Sequence, residues 1–400
     1  MSKIKLAFIK YDGLGAGGTE RWLQNVAAKI DKDKFDIDYF YTGEENPSRL
    51  QFMKENNVSL IKVRAKGKVS DWGEWLDTDL FEKFDENKYD IIQTAIAGEK
   101  EWPYYLFKKP VIERIALDYG VDFSPNVYHS FFMSEWMRDK WVKMGGIKAL
   151  SSIVPFGIEI PHSKETMRQQ LNIPKTAIVA GFHQRVDDNI FSEIPLNSFA
   201  QLQSDNRFFI IMGGSKKYAE QAKKLNIKNF IYLQHSADKE IISQFLNTLD
   251  IFAHGRKDGE TFGAVFAEAL LHHCPCLGHK TPTSNAHKET MGPGGLFAKN
   301  QKDYTQKLKK LFEDKNLRKN LADNGFSHAK SKFIDTNYIK KIEEIYIDIF
   351  ENQKAYAKKI KLLNLLRKII MVKLFHKEKS NNGKRTIYLL GKKILTYKKI

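Results

Sequence analysis

Two hydrophobic periods alternate along most of the chain. Ile4 to Ile9 is a short apolar run that ends at a glycine cluster, and it reads as a buried strand. From Thr19 the spacing becomes helical, with Trp22, Leu23, Val26, Ala27 and Ile30 on one face. Phe35 to Tyr41 is again a strand, and residues 13–18, all glycine except for Leu14 and Ala16, form the loop between the first strand and the helix. Strand, glycine loop, helix, strand is the opening of a parallel α/β sheet. Further strands are predicted at 90–94, 110–114 and 127–133, then a helix from Glu135 to Met144. A short strand from Ser152, ending in Pro and Gly, marks the domain boundary. A second α/β series follows at 177–182, 208–212, 230–233, 251–254 and 276–278, and a helix from Asn337 to Phe350 closes the folded body. The two halves share architecture but no internal repeat.

The 400 residues suit two domains, and 42% apolar content is enough for real cores. The net charge of +17 is unevenly placed: residues 354–400 hold 15 Lys or Arg and a single acid, Glu378. The body is nearly balanced, so the charge belongs to an appendage rather than to a nucleic-acid groove. Cys274 and Cys276 sit too close for a routine structural disulfide, which fits a reducing compartment. The N-terminus lacks a secretory apolar region and no stretch is long enough to span a bilayer, so a cytoplasmic protein is expected.

The segment with the most chemistry runs from Asp258 to Leu270. Glu260 and Glu268 are eight apart, with Thr261, Phe262 and Gly263 directly after the first. A helix starting near Gly263 would aim its amides at the preceding loop, a ready anion site. Glycine there lets backbone approach a diphosphate closely. Glu268 would face two ribose hydroxyls, and Glu260 would lie by a sugar carried on that diphosphate.

These residues resemble the E-x7-E motif of retaining glycosyltransferases with the two-domain GT-B fold, in particular family 4. The stretch Thr281 to Gly295 resembles that family's acid-then-glycine segment, residues 17–21 its N-terminal glycine loop, and residues 154–159 its linker strand. The resemblance implies two Rossmann-like domains facing across a cleft: an acceptor domain at 1–156 and a nucleotide-sugar domain at 157–333. A helix at 334–352 would return to the first domain, and 353–400 would be a basic, membrane-associating tail. It implies Glu260 and Arg185 as catalytic groups, and Glu268, Gly263, Phe262, Thr261, Gly17, Gly18 and Lys216 as donor-binding ones, with Gly17 and Gly18 closing over the diphosphate. No metal and no cofactor are implied beyond the nucleoside-diphosphate sugar as substrate. The family's lysine a few residues after the arginine is missing, since residues 187–190 read Asp-Asp-Asn-Ile, and Lys216 or Lys217 would have to compensate. The family's usual histidine in the first domain is also missing: His129, the only histidine before the linker, starts a later strand, so no acceptor-side base is assigned.

Rival readings start from other residues. Gly13, Gly15 and Gly18 satisfy a dinucleotide fingerprint, but the acid it needs at the end of the second strand is absent, Asp38 lying inside that strand. His272, His273, Cys274, Cys276 and His279 suggest zinc, at a spacing that matches no common zinc pattern. The pairs Asp36/Asp38 and Asp77/Asp79 mimic the metal motif of the other main glycosyltransferase fold; the first lies in a strand and the second in a Trp-rich stretch expected to be helical. In the tail, Leu362, Leu363, Leu365, Leu366, Ile369, Ile370 and Leu374 cover a broad arc opposite Lys361, Asn364, Arg367 and Lys368, as in a helix lying on an anionic membrane surface. The sequence therefore leads to a glycosyltransferase acting on a glycan or glycolipid acceptor at the inner face of the cell membrane. A sugar-nucleotide epimerase of the same fold, or a nucleic-acid binder using the tail, are the alternatives.

Overall fold

The computed structural model describes residues 2–15, 17–68, 74–158, 161, 163–334, 337–379, 384–389 and 392–398, with backbone alone at 68, 337 and beyond 366. The chain divides into two compact units. The first comprises residues 1–131, 140–152 and 342–400, and the second residues 132–139 and 153–341.

The first unit is built on seven strands: β1 (Ile4–Lys10), β2 (Phe35–Tyr41), β3 (Ser59–Lys62), β4 (Ile91–Ile96), β5 (Val111–Ile115), β6 (Val127–Phe132) and β7 (Ser151–Ile153). Their order is β3-β2-β1-β4-β5-β6-β7, and neighbours from β3 to β6 run parallel. The central strands are buried on both faces, which is why they read as nearly continuous apolar runs. The helix Gly18–Lys29 buries Trp22, Leu23, Val26 and Ala27. The helix Asn337–Glu351 joins this unit from Ile342 on, where the Tyr346 hydroxyl donates to Gln93 at 2.6 Å and Glu343 accepts from the Asp31 amide.

The second unit is built on β8 (Ile178–Gln184), β9 (Arg207–Gly213), β10 (Phe230–Leu233), β11 (Ile251–Ala253), β12 (Cys276–His279) and β13 (Gly295–Ala298), in the order β10-β9-β8-β11-β12-β13. Every neighbouring pair is parallel. A parallel neighbour requires a crossover, and the helices between these strands supply it.

Several expectations need correction. The stretch around Asp77 is not helical: Trp75–Thr78 pairs antiparallel with Ala65–Lys68. Alternation decides this, since Trp75 is buried against Tyr11 and Trp102 while its neighbour Leu76 is 72% exposed. Strands β3 and β13 were not foreseen. The linker motif's Glu159 lies outside the described residues, as do 380–383, 390–391 and 399–400 of the tail. The tail begins as the helix Gln353–Leu374 and continues as three antiparallel strands, Phe375–Lys379, Lys384–Leu389 and Lys392–Lys398. No described helix is long and apolar enough to cross a membrane.

Candidate functional site

In the second sheet β8 has β9 on one side and β11 on the other. Connections therefore leave the carboxyl ends of β8 and β11 in opposite directions, which opens a crevice at a topological switch point. The end of β8 supplies His183, Gln184 and Arg185; the end of β11 leads through residues 254–263 into the helix Ala264–Leu271. That helix is apolar except for Glu268, and it buries Phe266, Ala267, Ala269, Leu270 and Leu271. Gly263 precedes it at φ +87°, where an added Cβ would sit 2.9 Å from Phe266 Cδ2 and 3.2 Å from His287 Cβ. Conformation and space both require glycine there. The helix presents its positive dipole end and first amides at this point.

A carboxylate on an otherwise apolar, buried helix needs a partner. Glu268 Oε2 lies 3.1 Å from His183 Nε2, close enough for an ion pair but without the alignment of a hydrogen bond. The His183 ring is itself held edge-on between Phe245 and Phe252. On the far side, His272 Nδ1 is 2.7 Å from the Glu268 carbonyl oxygen, and burial holds the His272 pKa below its ordinary value.

Glu260 sits in a tighter network. Arg256 donates from Nε and Nη2 to the two carboxylate oxygens of Asp258, at 2.6 and 3.0 Å, and from Nη1 to Glu260 Oε1 at 3.1 Å. The Arg256 and Glu260 side chains are each 16% exposed. Burial pushes the Glu260 carboxyl above its ordinary range, and Arg256 is the principal opposing influence. Burial pulls the Arg256 guanidinium down, yet Asp258 and Glu260 together raise it above its ordinary value. His254 Nε2 is 3.9 Å from Glu260 Oε1, and burial keeps this histidine well below its usual pKa. The backbone is tied down as well. Gly259 and Glu260 pair in parallel with Ser284 and Asn285, and the Ala286 amide donates to the Glu260 carbonyl at 3.1 Å. The Thr261 carbonyl accepts from the Ser134 hydroxyl at 3.0 Å. Phe262 is buried edge-on to Phe333, and its carbonyl accepts from the Thr290 hydroxyl.

The remaining expected residues are placed as follows. Arg185 is 62% exposed and bonds Asp187 at 2.8 Å; its charge still reaches Glu260. Where the lysine was missing, residues 188–190 form a 3-10 turn in which Asp187 accepts from the Asn189 amide, Asp188 accepts from the Ser215 hydroxyl and Ile190 is buried. Lys216 is exposed at the start of the helix Lys217–Lys224. Gly17 and Gly18 lie in the first unit, as cap and first residue of their helix. In that loop the Gly13 and Gly15 carbonyls accept from Gln24 Nε2 at 2.7 and 2.9 Å, and Asp38 accepts from the Tyr89 hydroxyl. The histidines and cysteines at 272–279 go to separate surroundings: His272 to Ser243, His273 stacked on Phe326, His279 to the Lys280 carbonyl, and both cysteines buried.

Sequence reasoning missed Arg256, Asp258, His254 and His183. The chain bends at 257–258 and Gly259 takes φ +71°, so it is this turn, not an alternating pattern, that brings Arg256, Asp258 and Glu260 together.

Residues 163–328 match the family described as Glycosyl transferases group 1. No curated protein is significantly similar to the chain in sequence. Solved structures are similar in fold. HepE of Anabaena, in complex with UDP and glucose, has a TM-score of 0.67 at 18% identity, over 86% of this chain and 99% of that one. A glycosyltransferase from Rickettsia africae has a TM-score of 0.71 at 14% identity, over 88% of this chain and 100% of that one. WaaG, a glycosyltransferase involved in lipopolysaccharide biosynthesis, has a TM-score of 0.63 at 16% identity, over 85% and 99% of the two chains. The fold with its two parallel sheets is the GT-B fold of these neighbours.

Proposed function

We propose that this chain, a glycosyltransferase, moves a hexose from a nucleoside-diphosphate sugar to a lipid-linked or lipopolysaccharide-type glycan, keeps the anomeric configuration as family 4 enzymes do, and works at the cytoplasmic membrane face. The observation that carries the reading is the pair Glu260, in the loop before the helix Ala264–Leu271, and Glu268, in that helix's second turn, at the switch point of the second sheet. A diphosphate at that helix end would meet backbone amides and a positive dipole, with Gly263 allowing close approach. Glu268 would accept from the ribose hydroxyls and Glu260 from the sugar, with Arg185, Lys216, Gly17 and Gly18 on the diphosphate. The complex of HepE with UDP and glucose supports UDP as the first nucleotide to try.

In the reaction the acceptor oxygen bonds to the anomeric carbon while the bond from that carbon to the diphosphate oxygen breaks. The acceptor proton passes to the departing phosphate oxygen on the same face. The protein then acts by holding the reactants and stabilising charge on the leaving group, and it needs neither metal nor cofactor.

The membrane part of the reading rests on residues 354–400, with 15 Lys or Arg to one acid, and on the first half of the helix Gln353–Leu374. Leu362, Leu365 and Leu366 are 55%, 55% and 45% exposed, and positions i, i+3 and i+4 share one face. Lys358, Lys359 and Lys361 are exposed next to them.

The test is donor consumption with and without bacterial glycolipid extract, using UDP-glucose, UDP-galactose and their N-acetyl counterparts. Transfer of sugar to lipid with an unchanged anomeric configuration supports the reading. Donor turnover at the same rate without acceptor, yielding an isomeric nucleotide sugar, would replace it with epimerisation.

A further inference from the structure

The loop from His254 to Gly263 contains one arginine, and it is bound on two edges by acids from the same loop. We infer that Arg256 is the positioning residue of this site: its guanidinium, clamped on one edge by Asp258, aims the Glu260 carboxylate and holds it in the charged form.

The geometry supports this in three ways. First, the Asp258 contact is bidentate, with two parallel bonds at 2.6 and 3.0 Å, so the plane of the guanidinium is fixed before Glu260 is considered. Second, the remaining edge meets Glu260 Oε1 at 3.1 Å, in a pocket where both side chains are mostly buried. A buried carboxylate without such a partner takes up a proton. Third, the backbone under Glu260 is held by its pairing with Asn285 and by the Ala286 amide, so the arginine sets the side chain on a fixed base.

The other charged or titratable groups around the pair are few. Arg185 reaches Glu260 from the end of β8, and Asp187 lies within the field of Arg256. His254 at the end of β11 and His287 on the short helix His287–Met291 are both held below the ordinary value by burial first of all. Tyr218, from the helix Lys217–Lys224, also feels the arginine and is held above its ordinary value by burial. Arg185 is the only other cation of this set, and it is exposed and already bonded to Asp187. Against the effect of burial on Glu260, Arg256 is therefore the main opposing group.

The inference assigns a role to Glu260 that rests on the proposed function, but its test does not need a donor. Carboxyl-carbon NMR of the glutamate-labelled full chain is followed from about pH 3 to about pH 9, Glu260 being the resonance missing from E260Q. In R256Q the Glu260 midpoint should rise by about 1 pH unit or more, and R256K should restore most of the difference. A Glu260 midpoint in R256Q equal to the wild type, with thermal melting intact, overturns the inference. If R256Q does not fold, the wild type decides: a Glu260 carboxyl still protonated at about pH 7 overturns the inference equally. Binding of UDP, GDP, CDP and ADP by the wild type is measured alongside: binding of none of them counts against the glycosyltransfer reading and leaves the Glu260 titration to decide the role of Arg256.

Discussion

His183 Nε2 stands 3.1 Å from Glu268 Oε2 and so joins the end of β8 to the second turn of the helix Ala264–Leu271. Nothing in the linear sequence pairs these residues, which lie on different elements of the second unit. The adjacency of β8 and β11 in the sheet brings them together.

If Glu268 binds the ribose, His183 supports it from behind. His183→Phe keeps an aromatic ring between Phe245 and Phe252 but removes the nitrogen. Nucleotide affinity by isothermal titration should fall about tenfold, which is close to 1.4 kcal/mol. His183→Gln, which keeps a donor, should recover part of it. Equal affinity in all three proteins would leave the contact without a role in binding.

Gly263 and Gly18 make a contrasting pair. Gly263→Ala places a methyl group 2.9 Å from Phe266 Cδ2 at φ +87°, and should lower stability by about 1–3 kcal/mol in a urea melt. At Gly18 a Cβ meets nothing within 4 Å. Gly18→Ala should stay within about 0.5 kcal/mol of the wild type, while donor affinity falls if that loop approaches the diphosphate.

Most of the fold was legible in the sequence, because strands buried on both faces leave apolar runs and the helices between them leave a helical period. The missed strands show where this stops. Gly295–Ala298 is four residues long and opens on glycine, and Trp75–Thr78 alternates for too few residues to betray its period. In the site, Glu260, Gly263 and Glu268 stood out by spacing and residue type. His183 and His254 did not, since each matters only through the sheet order that sets β8 beside β11. Arg256 was hidden differently: in a loop rich in charge it looks like a solvated residue, and only its burial reveals the clamp.

The buried histidines predict an acid-sensitive second unit. Burial holds His287 down to about 4, and His254 lies well below its ordinary value for the same reason. The unfolded chain binds protons at these positions below about pH 6.5, while the folded one stays neutral, so stability is lost as pH falls from about 6.5 toward 4. His287 alone accounts for roughly 3 kcal/mol across that window. Urea melts from pH 7 downward should show the loss, and His287→Phe should flatten it. A profile unchanged by that substitution would contradict the assignment.

For the tail, Leu362→Gln, Leu365→Gln and Leu366→Gln together replace these exposed leucines and leave every charge in place. Sedimentation with phosphatidylglycerol vesicles should show binding reduced at least tenfold, with nucleotide binding unaffected. Binding that depends on the lysines alone would survive the change.

The central claim is a nucleotide-sugar site organised by Glu268. The most direct measurement is a thermal shift of the wild type and of Glu268→Ala with UDP, GDP, CDP and ADP. At a ligand concentration about 100 times Kd, binding stabilises a fold by about 2.7 kcal/mol. The account predicts a rise in Tm with one of these nucleotides, lost in Glu268→Ala while the unliganded Tm of the variant stays close to wild type. A wild type that none of the four nucleotides stabilises, or a variant that keeps the full shift, would contradict it.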